Sequence, residues 1–255
     1  MPFSDSERVI YKKCPLKDVV CQLRFPRILL INEKEPMEFQ EKIRNKFPSL
    51  QIAVEQLHMG ILQAGDNKNY RFSSSDEKWH INLTSTFLAL STTDYGRWES
   101  FLDYLKEPLS ALLEIYKPAF YERIGLRYID AFKLSDLDLV GADWTELIEP
   151  FALGFMSNPK INKEVKNQNT FVELDIGDGA TAQINIAKGF MENIVRGYPV
   201  LDDEESFIVD SDMFVMRKQI NELDDSLKYL HDYAAKLIRA IITDKLHNAM
   251  EPSKI

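Results

Sequence analysis

Between Val19 and Phe25 the chain alternates residue by residue: Val19, Cys21, Leu23 and Phe25 point to one side, Val20, Gln22 and Arg24 to the other. A period of two marks a strand with one apolar face, which persists only in a sheet whose apolar side is covered. A sheet buried on both faces would instead show unbroken apolar runs. Pro26 ends the strand, since proline cannot donate to a ladder. The constraint is therefore an antiparallel, one-sided sheet with helices supplying the cover.

The rest of the chain provides those parts. A short helix is expected after Pro36, with Phe39, Ile43 and Phe47 on one face and Pro48 stopping it. Strands are expected at Leu50 to Gln63, Tyr70 to Ser73 and Trp79 to Thr92, separated by Gly65-Asp66-Asn67 and the polar Ser74 to Lys78. Tyr95 to Tyr116 carries the broad apolar stripe of a core-facing helix, and Pro108 within it predicts a kink. The second half opens with a strand at Phe120 to Phe132 and a helical stretch around Trp144 to Phe155. Strands follow at Thr170 to Ile176, Thr181 to Ala187 and Phe207 to Asp212. Gly177-Asp178-Gly179 joins two of them as a hairpin turn. A final helix from about Gln219 to Leu246 repeats Ile220, Leu223, Leu227, Leu230, Ala234, Leu237 and Ile241 at steps of three and four. That stripe suits packing on the sheet; the alternative is a homodimer through this C-terminal helix.

The halves 1–117 and 118–255 share an order of element types, which predicts an internal duplication within one compact unit. Cys21-Gln22-Leu23-Arg24-Phe25 aligns with Ile124-Gly125-Leu126-Arg127-Tyr128, Ile81-Asn82-Leu83 with Ile184-Asn185-Ile186, and Tyr104-Leu105 with Tyr229-Leu230. The expected fold is α+β: two strand-helix-strands-helix halves sharing an antiparallel sheet, with two long helices on one face. This architecture resembles the saddle of TATA-binding proteins, a likeness of fold that carries no function. Two extra loops, 157–169 and 188–205, depart from the repeat and are candidates for specificity.

The segments Pro15-Leu16-Lys17-Asp18-Val19-Val20-Cys21-Gln22-Leu23-Arg24-Phe25-Pro26, Arg123-Ile124-Gly125-Leu126-Arg127-Tyr128-Ile129-Asp130 and Ile242-Thr243-Asp244-Lys245-Leu246 resemble the hallmarks of a sporadically distributed, uncharacterised family of bacterial proteins of about this length. The likeness spans nearly the whole chain and implies no reaction, cofactor or catalytic residue. A patchy distribution suits mobile or defence-associated genes.

Composition narrows the function. Lys and Arg number 31 against 40 Asp and Glu, a net charge of −9 that disfavours a sequence-independent grip on nucleic acid but leaves room for a local basic patch. Cys14 and Cys21 are separated by strand-like chain, too far apart for a disulfide, so a reducing, cytoplasmic setting is expected. No apolar window is long enough to span a bilayer. His58, His80, His231 and His247 are scattered without metal-ligand spacing, and no phosphate loop, dinucleotide fingerprint or nucleophile elbow occurs. No cofactor is expected. Cys21 shares its side with Val19, Leu23 and Phe25 and reads as a buried, inert thiol. Trp98 and Trp144 fall on apolar helical faces, whereas Trp79 and Tyr70, near a strand end and a turn, are the candidates for exposed stacking residues.

With the apolar sides facing helices, the opposite face gathers Gln22, Arg24, His80, Asn82, Arg123, Arg127, Gln183 and Asn185, with Gly125 leaving room between two arginines. Guanidinium and amide groups so placed suit a small anionic ligand or a protein partner; the same residues also suit cross-strand pairs with Glu122, Glu173 and Asp175. The expectation is a non-enzymatic binding or assembly module. The alternative is a metal-dependent phosphoester hydrolase or nuclease using Glu173, Asp175, Asp210 and Asp212, near the acidic run Asp202 to Glu205. Against it stand a solvated acidic face and the lack of Lys or His at a recognisable motif spacing. A saddle-like nucleic-acid binder is the third reading.

Overall fold

A computed structural model describes residues 9–55, 67–191 and 204–254. In chain order the strands are β1 (Val9–Tyr11), β2 (Leu16–Arg24), β3 (Ser49–Glu55), β4 (Asn67–Ser73), β5 (Trp79–Leu83), β6 (Phe87–Thr92), β7 (Tyr121–Phe132), β8 (Gln168–Gly177), β9 (Ala180–Gly189), β10 (Ser206–Lys218) and β11 (Pro252–Lys254). The helices are α1 (Leu29–Glu33), α2 (Met37–Ile43), α3 (Trp98–Ile115), α4 (Pro150–Leu153), α5 (Leu223–Ile241) and α6 (Asp244–Ala249).

Nine strands form one open antiparallel sheet in the order β3-β4-β5-β6-β2-β7-β10-β9-β8, and β1 pairs separately with β11. The fold is α+β, as the one-sided alternation of β2 requires. Each half sets its opening strand beside its closing one, β2 beside β6 and β7 beside β10. The three short residue matches between halves fall on β2 and β7, β5 and β9, and α3 and α5.

The chain divides into two compact units. An inner unit comprises Asp18–Leu126 and Phe214–Leu227; a terminal unit comprises Met1–Lys17, Arg127–Met213 and Lys228–Ile255. Strands β7 and β10 run through both.

In the inner unit, Val19, Cys21 and Leu23 of β2 are buried beside Leu88 and Leu90 of β6, Ile81 and Leu83 of β5, and Tyr70 and Phe72 of β4. Phe39, Ile43 and Phe47 are buried as their spacing predicts. Trp79 and Tyr70 are core residues and not stacking platforms: Tyr70 is fully buried, and Trp79 stacks on Tyr104 of α3 at 3.9 Å between ring centroids. Their alternation with outward residues places both on the covered side of the sheet. The expected strand Trp79 to Thr92 is a hairpin, because the Thr84 hydroxyl accepts from the amides of Thr86 and Phe87 and folds a turn. The expected turn at Gly65-Asp66 and the expected strand beyond Glu55 lie outside the described residues, as does His58.

In the terminal unit, β8 and β9 join through Gly177-Asp178-Gly179, all three at positive φ, which is the hairpin turn read from the sequence. The final helix is shorter than its apolar periodicity suggests. Gln219 and Glu222 form a capping box ahead of α5. At the other end Ile242 leaves the helix to bridge Ile148, while Thr243 caps α6 and donates to the carbonyls of Glu146 and Leu147. Leu223, Leu227, Leu230, Ala234, Leu237 and Ile241 are all buried within the chain. No helix among the described residues is long and apolar enough to cross a membrane.

Candidate functional site

Strand register decides which polar residues share a surface. In the inner unit Gln51 faces Arg71, Arg71 faces Asn82, Asn82 faces Ala89 and Ala89 faces Gln22, so one row crosses five strands on the side away from the core. Directly opposed residues in antiparallel pairs point to the same face. Arg24 faces Phe87 one alternate step along, and Ser73, His80 and Ser91 make the row on the other side. Arg24, Arg71 and Gln51 are exposed, and Gln22, His80, Asn82 and Phe87 are partly exposed.

Across this patch, from Ser49 to Ala53, Asn69 to Ser73, His80 to Asn82, Phe87 to Ser91 and Val20 to Arg24, no outward position carries a carboxylate. Asp18 of β2 and Glu55 of β3 lie just beyond the ends of the patch, and others sit on α1, α2, α3 and the turns, where Asp103 and Glu114 pair with Lys46 and Lys42. Neighbouring strands lie about 4.8 Å apart and alternate residues about 6.8 Å apart. Arg24 and Arg71, three strands and one row apart, therefore have Cα atoms separated by about 16 Å. Among the described residues, neither arginine makes a salt bridge. The His80 ring shares a hydrogen bond of 2.8 Å with the Ser73 hydroxyl. Burial, and then the nearby Arg71, hold this imidazole below its usual range, so it is neutral at pH 7.

The other expected residues are differently placed. Arg123 lies with its guanidinium carbon 4.4 Å from the centroid of Phe214. The space above Gly125 is filled by this guanidinium: a Cβ there would stand 2.1 Å from an Arg123 nitrogen. The glycine accommodates the arginine of its own strand, in place of the room for a ligand that the sequence suggests. Arg127 is gripped by Asp210 through two hydrogen bonds, Nε to Oδ1 at 2.7 Å and a terminal nitrogen to Oδ2 at 2.6 Å. Asp210 is thus a cross-strand partner of Arg127, and of the expected acidic partners Glu173 meets Gln183. Beside Asp210 on the same face Ile129, Ala131, Ile208 and Met191 form a buried apolar cluster, so the terminal unit's face is partly covered.

Gln183 and Asn185 also face this side, opposite Glu173 and Phe171. Gln183 donates to Glu173 at 2.8 Å, and Asp175 accepts from the amide of Gly177 at 2.9 Å. Asp210 and Asp212 share the face of β10. Among the described residues no group of three or more His, Cys, Asp or Glu side chains is gathered closely enough to hold a metal ion. No three of the four carboxylates of the hydrolase reading therefore converge, and Asp202 and Asp203 lie outside the described residues. A cavity of about 320 Å³ in the terminal unit is lined by Lys12, Lys13, Cys14 and Phe132 among others. Its Lys12 and Lys13 are already paired with Glu251 and Asp138.

Arg71 was not among the residues singled out from the sequence. Its signal was the alternation Tyr70, Arg71, Phe72, Ser73, which puts it outward as surely as Arg24. Both cysteines are free; Cys21 is fully buried and its thiol is pushed up to about 12 by burial, with Arg123 opposing. No protein-family model matches this chain, and no curated protein matches it significantly.

Proposed function

We propose that this chain is a binding module whose ligand surface is the outward sheet face of the inner unit, taking the anionic groups of a ligand on Arg24 and Arg71. The observation that carries the reading is the five-strand patch with two exposed arginines, several amides and no carboxylate, in a chain whose net charge is −9. Opposite-charge cross-strand pairs are stabilising, yet within this patch and among the described residues neither arginine makes one, Asp18 of β2 and Glu55 of β3 lying beyond its ends. Arg123 and Arg127 are held by Phe214 and Asp210 and serve the fold. The mirrored strand order supports the reading of two related halves, of which one has kept a displayed polar face. The resemblance to a patchily distributed bacterial family adds no ligand.

Isothermal titration with tripolyphosphate tests this directly. Wild-type protein is expected to bind, and Arg24→Ala with Arg71→Ala to lose binding while keeping the wild-type circular dichroism spectrum. Absence of wild-type binding, or equal affinity in the double variant, overturns the reading.

A further inference from the structure

We infer that the ligand of this face is a single-stranded oligonucleotide, with a base against Phe87 and the backbone running over Arg24 and Arg71; the inference rests on the anion-face reading above. Phe87 is the starting point. It is an aromatic ring on the outward side of β6, partly exposed, in direct register with Arg24. Cβ atoms of such a pair lie about 4.5–5.5 Å apart, so ring and guanidinium offer neighbouring planar surfaces. A flat apolar ring beside a cation is a platform on which any base stacks, and stacking is the sequence-tolerant part of single-strand recognition. An acidic peptide gains nothing comparable from the ring.

The spacing of the arginines argues for a chain of anions. Cα atoms about 16 Å apart exceed the span of one phosphate, even allowing for two long side chains, but suit two non-adjacent phosphates of one extended strand. Between the arginines stand Gln22 and Asn82, in the same row as Arg71. Their side-chain amides each present a donor and an acceptor, the pattern that base edges match. His80, neutral and anchored by Ser73, adds a further polar group. A duplex is excluded from this mode because its bases are stacked on each other and cannot reach the ring.

Fluorescence anisotropy with a fluorescein-labelled oligothymidylate of about eight residues reads the outcome. Two phosphate contacts predict a slope of log K against log salt of about −1.4, falling to about −0.7 in either Arg24→Ala or Arg71→Ala. Phe87→Leu, which keeps the apolar bulk, is expected to weaken binding about fivefold or more, and Phe87→Tyr to leave it unchanged. Unaltered affinity in Phe87→Leu overturns the inference, because nothing then stacks. If tripolyphosphate binds the arginines and the oligonucleotide binds no more tightly, the anion face stands and the oligonucleotide falls. If poly-glutamate outcompetes the oligonucleotide, the partner is an acidic protein and the inference fails. If none of these probes binds, both readings fail together.

Discussion

The inner and terminal units treat charge in opposite ways. On the terminal face Arg127 is clamped by Asp210, Glu173 is met by Gln183, and an apolar cluster of Ile129, Ala131, Ile208 and Met191 closes over part of the surface. On the inner face Arg24 and Arg71 stand exposed among amides and hydroxyls. A charge satisfied within the fold contributes to stability and specificity of packing, whereas a displayed charge contributes little to either and is available to a ligand. The contrast assigns stability phenotypes to the terminal unit and binding phenotypes to the inner one.

The largest expected effect concerns the most deeply held charge. Asp130 of β7 is buried on the helix side, its Oδ2 has no hydrogen-bond partner, and burial pushes its carboxyl up to about 7. Since this lies above the ordinary value of about 3.9, the folded state favours the neutral acid. Its contribution is complete below pH 4 and is lost as pH rises through 7, at a cost of at most about 4 kcal/mol by pH 8. Asp130→Asn is expected to narrow this loss. Urea unfolding at pH 5 and pH 8 should show the variant gaining on the wild type at the higher pH; a constant difference would place the proton elsewhere.

Next in size is Arg127→Ala, which strands a mostly buried Asp210 carboxylate. Full burial of a broken pair costs about 3–5 kcal/mol, but the Arg127 side chain is 41% exposed. Screening by solvent reduces the expectation to about 2 kcal/mol. Arg127→Ala with Asp210→Ala should recover part of that loss in a double-mutant cycle, and strict additivity would show the bidentate contact to be energetically idle.

How much of this was legible in the sequence follows from the reach of each signal. Alternation in Val19 to Phe25 is a property of consecutive residues, so β2 and its two faces could be read directly. The same rule put Arg24, Gln22, His80 and Asn82 on the outward side, and the register confirms that placement. What alternation cannot convey is which strand lies next door. The partnership of Arg127 with Asp210 joins residues 83 positions apart, and so a satisfied arginine and a displayed one looked alike. Gly125 was misread for the same reason: the space above a glycine is visible in the sequence, but the long side chain that fills it is not. The end of α5 depended on Ile242 pairing with Ile148, a tertiary contact that overrides the helical period.

Gly125→Ala comes next, at about 1 kcal/mol. The new methyl displaces the Arg123 guanidinium from Phe214, and a cation–π contact is worth about 0.5–2 kcal/mol. The group displaced is the far end of a flexible side chain, so the backbone need not move. Chemical denaturation should find a modest loss that Arg123→Ala in the same background does not deepen.

The smallest stability effect should belong to the residues that matter most for binding. Arg24→Ala and Arg71→Ala remove exposed side chains that have no salt bridge among the described residues, and surface changes of this kind stay within about 0.5 kcal/mol. A loss of 2 kcal/mol or more from either would mean that the arginine is held by the fold after all, as Arg127 is, and the distinction between the two faces would collapse. A near-zero change alongside lost ligand affinity separates the two roles, because residues that only maintain the sheet cannot be removed without thermodynamic cost. Equal melting temperatures for wild type and both variants, measured without ligand, are therefore the expected result.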